Sequence, residues 1–130
     1  MKNWITAAIF GLAIAAVSLP TRAQYEVVQK QTWTVVADGV NFTFKLAISS
    51  SGATEGTVSY DGGLDVVSGT VCVDGCTAVN LVRWIPAEHG GGTQTWTGNI
   101  AIDQSGTRTA AGTWSGTGGS GTWTAETITR

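Results

Sequence analysis

The chain has 130 residues and a formal net charge of −2, and its stretch from Trp4 to Val17 is almost unbroken in apolar character. With Met1-Lys2 before it and Thr21-Arg22-Ala23 after it, that stretch reads as a secretory signal peptide over residues 1–23, shorter than the roughly 20 apolar residues of a membrane span. Residues 24–130 keep five basic residues (Lys30, Lys45, Arg83, Arg108, Arg130) against nine acidic ones, a net charge of −4 that argues against nucleic acid and anionic membrane surfaces as partners.

This remainder has the length of one domain, exported to the periplasm or the medium and not inserted in a membrane after cleavage. It holds 17 Gly, 18 Thr, five Trp and a single proline, Pro86, and few of the usual helix-building residues. Thr, Val, Ile and Trp favour strands, and glycines recurring between apolar pairs predict many short strands with tight turns. The composition is that of an all-β protein.

Eight strands are predicted in chain order. The first runs through Gln31 to Val35, and the second, Phe42 to Ile48, has the cleanest two-residue alternation. The third spans Thr54 to Tyr60, and the turn Asp61-Gly62-Gly63 leads into the fourth, Leu64 to Val73. A three-residue turn, Val73-Asp74-Gly75, leads into the fifth, Cys76 to Ile85. Pro86 to Gly92 forms the longest loop and carries the one histidine, His89. The sixth strand runs from Thr93 to Ile102, the seventh from Thr107 to Trp114, and the eighth from Thr122 to Thr129. Short connections predict antiparallel neighbours in a meander, and closing eight strands into a barrel removes the exposed edges of an open sheet. A small β-sandwich is the alternative, although it needs longer crossovers than this chain offers. Gly56-Thr-Val58, Gly69-Thr-Val71, Gly112-Thr-Trp114 and Gly121-Thr-Trp123 repeat one form, with glycines placed where curved strands would crowd.

Cys72-Val-Asp-Gly-Cys76 predicts a disulfide across a hairpin, with Gly75 in the left-handed conformation. An exported protein keeps such a pair oxidised, and the spacing lacks the Cys-x-x-Cys and helix start of a redox pair. No metal site and no cofactor are expected, because one histidine cannot complete a zinc site and the carboxylates sit thinly in turns. Gly-x-Ser-x-Gly is absent, and His89 in its glycine-rich loop is expected at the surface, so no enzyme is expected.

The tryptophans carry the functional signal. Trp84, Trp96, Trp114 and Trp123 lie on neighbouring strands and predict an aromatic wall at one end of a barrel with room for a small ligand. Gln94, Asn99 and Asn80 are candidate polar partners there. On the fifth strand Val79, Leu81 and Ile85 compete with Trp84 for the inner face. If Trp84 points outward it leaves the site.

Thr95-Trp96-Thr-Gly98-Asn99 resembles the Thr-Trp-Ser-Gly-Gln strand of the avidin and streptavidin family. Gly112-Thr-Trp114 and Thr122-Trp123 are spaced like its next two tryptophans, Thr32-Trp33 resembles its opening strand, and Gly52 to Thr57 its second hairpin. The resemblance spans about Thr32 to Ala125. It implies an eight-stranded meander barrel, a barrel-end ligand and a homo-oligomer. The family's biotin-holding polar side chains are not matched. Val35 stands for an Asn, Val58-Ser-Tyr60 for Tyr-x-Ser, Gly92 and Gln94 for a Ser and a Thr, and the closing Asp has no counterpart before Arg130. Losing such a set costs orders of magnitude in specificity, so the resemblance implies the fold more than biotin. Two further readings stand beside it: a protein-interaction module (an inhibitor or surface-assembly component) presenting Pro86 to Gly92, and a carbohydrate-binding module with coplanar exposed tryptophans.

Overall fold

A computed structural model describes residues 27–129; the expected signal peptide lies outside the described residues. Eight antiparallel strands follow one another around a closed barrel: β1 (Val27–Ala37), β2 (Val40–Ser49), β3 (Ala53–Tyr60), β4 (Gly63–Val71), β5 (Ala78–Trp84), β6 (Thr93–Ile102), β7 (Arg108–Gly116) and β8 (Gly119–Thr129). Pairing of β1 with β8, at Val35–Ala125 and Ala37–Trp123, closes the sheet on itself. The all-β class and the up-and-down barrel are thus observed, and the sandwich is set aside.

Two-residue alternation decides what faces inward. On β2, Phe44, Leu46 and Ile48 are buried while Lys45 between them is exposed. Trp33, Val35, Val58, Val67, Val71, Leu81 and Trp96 join them in one core. A fully buried side chain of this size contributes about 1.5–3 kcal/mol. Rings form a connected column inside the barrel: Trp33 stacks on Trp123 at 6.4 Å between centroids, Trp123 meets Trp96 at 6.2 Å, and Trp96 stacks on Trp114 at 6.0 Å.

Glycines make that column fit. Gly98 on β6 pairs directly with Gly112 on β7, and a Cβ on Gly112 would collide with the Thr97 carbonyl oxygen. The bare backbone there lets the Trp123 indole donate to both the Thr97 and Thr113 carbonyls, at 3.2 and 3.1 Å. This satisfies a polar group that would otherwise be buried unpaired.

The connection between β4 and β5 is longer than expected. Cys72 and Cys76 form the predicted disulfide, with Cα atoms 5.6 Å apart, and Gly75 takes the left-handed conformation at φ 72°. Strand pairing nevertheless stops at Val71–Val79, so the disulfide staples a loop over 72–77 and does not bridge paired strands across a three-residue turn.

Candidate functional site

Four connections meet at one end of the barrel: Asp38-Gly39, Asp61-Gly62, the loop 85–92 and Thr117-Gly118. Asp38 and Gly39 both have positive φ, 53° and 80°, as a two-residue type I′ hairpin requires. This tight turn presents the Asp38 carboxylate at the barrel mouth, where its Oδ2 accepts from the Trp114 indole N–H at 3.0 Å.

Below the mouth lies a cavity of about 240 Å³ lined by Ala37, Asp38, Val40, Phe42, Arg83, Gln94, Trp96 and Trp114. Its volume falls just under the roughly 300–1,000 Å³ of drug-sized pockets and suits a single-ring molecule. Trp96 and Trp114 form one wall, with Phe42 edge-on to Trp96 at 5.8 Å.

The polar side of the cavity is built on a buried charge. Alternation along β5 carries Val79, Leu81 and Arg83 inward, and along β4 it carries Asp65 and Val67 inward. Arg83 donates from Nε to Asp65 Oδ2 at 2.8 Å and from Nη1 to the Gln94 Oε1 at 3.1 Å, and its Nη2 forms an ion pair with the same Oδ2 at 2.6 Å. Its guanidinium also lies over the rings of Tyr60 and Phe42, at 4.9 and 5.2 Å from their centroids. Gln94 is itself fixed: Oε1 accepts from the Trp96 indole at 3.2 Å as well, and Nε2 donates to the Thr117 carbonyl at 2.6 Å. Charge-assisted bonds in a low-dielectric site are stronger than neutral ones, so this cluster is rigid.

Tyr60 extends the cluster to the surface. Its hydroxyl donates to Asp65 Oδ1 at 3.2 Å and lies 3.1 Å from Nδ1 of His89, on the single 3₁₀ turn of the long loop. A hydroxyl has one proton and a carboxylate only accepts, so both bonds together place a proton on His89 Nδ1. His89 is exposed, as expected, yet it is tied to the buried pair through Tyr60.

The structure brings together three of the seven residues singled out in sequence: Gln94, Trp96 and Trp114 line the cavity. Trp123 sits deeper, buried between Trp33 and Trp96. Trp84 points outward and is 53 % exposed, so by the parity of β5 it leaves the site. Asn80 and Asn99 also face outward, and the Asn99 Oδ1 accepts from the Thr77 hydroxyl at 2.8 Å. Among the described residues Trp84 is the exposed tryptophan, with no second exposed indole beside it.

Arg83, Asp65, Phe42 and Asp38 were missed. The signal for Arg83 was available: two positions after Leu81 and four after Val79, it falls in phase with the apolar face, and Trp84 falls out of phase. A wider groove of about 310 Å³ on the outer wall, lined by Ala47, Ser49, Ala53, Thr54, Glu55, Ser68 and Gly69, holds no buried charged group.

Comparison with known proteins gives no match for this chain, neither to a family model, nor to a curated protein, nor to a solved structure. The architecture, an eight-stranded antiparallel closed barrel, is consistent with a streptavidin-like fold.

Proposed function

We propose that this is an exported, non-catalytic binding protein that holds a small molecule at the barrel end, between the Trp96–Trp114 wall and Arg83. The single observation behind it is a cavity of about 240 Å³ that joins two stacked indoles to a rigidly held, buried guanidinium. Apolar walls with a few fixed polar groups are the usual make-up of a ligand site. The resemblance to avidin-type barrels supports the same end of the same fold, and the unmatched polar set speaks against biotin itself. Export is supported by the apolar N-terminal segment and by the Cys72–Cys76 disulfide. The acidic net charge speaks against nucleic acid as a partner.

A thermal-shift screen of single-ring fragments tests this reading. A ligand at 100 times its Kd stabilises by about 2.7 kcal/mol, which for a domain of this size raises Tm by roughly 10–20 °C. Val40 faces the mouth opposite Ala37, so Val40→Trp blocks entry and abolishes the shift. A screen in which no fragment separates wild type from Val40→Trp would count against the reading.

A second reading, a protein-interaction module or a homo-oligomer, is supported by a different surface. Leu64, Val66 and Trp84 are exposed on the outer face of β4 and β5, with Val66 paired to Trp84. Trp84→Ser would then weaken association, read by analytical ultracentrifugation or partner capture, without changing the fragment response.

A further inference from the structure

Arg83 carries five N–H bonds, and the described residues accept two of them in hydrogen bonds: Nε–H goes to Asp65 and one on Nη1 goes to Gln94, while Nη2 makes an ion-pair contact with Asp65 Oδ2 at 2.6 Å. At least one N–H on each terminal nitrogen has no hydrogen-bond acceptor among the described residues. The side chain is more than nine-tenths buried and lines the cavity. A buried donor left unmet is costly, so whatever fills the cavity is selected for an acceptor atom.

Resting on the binding reading above, we infer that the ligand is an uncharged flat ring bearing a carbonyl acceptor, and that the site rejects the corresponding carboxylate. Arg83 alone would invite an anion. Here its charge is already matched by Asp65 at 2.6 Å, and Asp38 adds a second negative charge at the mouth. An anion in the cavity therefore faces one positive and two negative groups, and it must also shed its water. A neutral carbonyl takes a spare N–H bond from each terminal nitrogen without either penalty, and its ring lies against Trp96 and Trp114. The guanidinium cannot swing out to suit another ligand, because Asp65 and Gln94 bind its nitrogens and the Phe42 and Tyr60 rings pack against it. Polar discrimination of this kind is sharp, because the wrong ligand leaves fixed groups unpaired.

Three molecules of nearly one shape separate the contributions: benzamide, benzoate and toluene. Each is titrated into the oxidised, ¹⁵N-labelled protein while the indole N–H resonances are followed. The expected result is that benzamide shifts Trp96 and Trp114, leaves Trp84 in place, and binds at least about tenfold more tightly than either of the others. Asp38→Asn, which keeps an acceptor for Trp114, should bring benzoate several-fold closer to benzamide. Arg83→Met in an Asp65→Leu background removes the donors together with their counter-charge and should make benzamide and toluene equal. Equal binding of benzamide and toluene to the wild type overturns the inference and leaves the binding reading intact. So does benzoate binding most tightly. Absence of any shift at Trp96 and Trp114 with all three overturns both.

Discussion

Asp65→Leu is the most demanding test of how the barrel end is built. The Asp65 side chain is fully buried and that of Arg83 is 9 % exposed, so removing the carboxylate strands a guanidinium away from water. The Tyr60 hydroxyl loses its acceptor at the same time. Breaking a buried pair from one side costs about 3–5 kcal/mol, a large share of the roughly 5–15 kcal/mol that holds a domain folded. At a urea m-value of about 2 kcal/mol/M, the unfolding midpoint should fall by about 2 M. Replacing both partners, as Asp65→Leu with Arg83→Met, removes the stranded charge and should return stability to within about 1 kcal/mol of wild type. Urea titrations followed by tryptophan fluorescence measure both. A single variant that loses less than about 1 kcal/mol would refute the buried-pair argument. A double variant as unstable as the two single losses summed would refute it equally.

Three other outcomes follow from the same geometry. Gly112→Ala places a Cβ against the Thr97 carbonyl and should destabilise by about 1–3 kcal/mol or more, measured by thermal unfolding, with loss of the Trp123 hydrogen bonds as the cause. The disulfide closes a short loop, so Cys72→Ser with Cys76→Ser should cost about 2 kcal/mol in urea while the barrel still forms, because Val71–Val79 pairing lies outside the ring. Asp103 accepts from the Ser105 hydroxyl and from the Thr107 and Ser105 amides, which hold its carboxyl below the ordinary aspartate range. Its contribution to the β6–β7 turn is therefore present above the unfolded value and lost as pH falls through the folded one; NMR titration of the carboxyl checks the direction, and Ser105→Ala should weaken the shift.

How much of this was legible in sequence depends on how far apart the interacting residues stand. Local alternation gave the strands, and β6 runs from Thr93 to Ile102 as its pattern predicts. The repeated Gly-Thr-apolar form was also legible, since Gly56, Gly69 and Gly112 each approach a neighbouring backbone too closely for a Cβ. The inward phase of Arg83 is legible from Val79 and Leu81, but its partner is not, because Asp65 alone reads as a surface charge. Their pairing across 18 residues exists only once β4 and β5 lie side by side. Trp84 misled for a related reason: its size suggested burial, while the parity set by Val79 and Leu81 sends it outward. Hairpin turn chemistry alone predicts a shorter connection than the loop over 72–77, because the disulfide holds those residues outside the ladder.

The central claim is that the space above Trp96 and Trp114 is a binding site organised by Arg83. A crystal structure of the protein grown with benzamide tests it most directly. The account predicts a ring against Trp96 and Trp114 with its carbonyl oxygen within hydrogen-bonding distance of both terminal nitrogens of Arg83. Benzamide seated on the outward Trp84 instead, with the cavity holding only water, would contradict it.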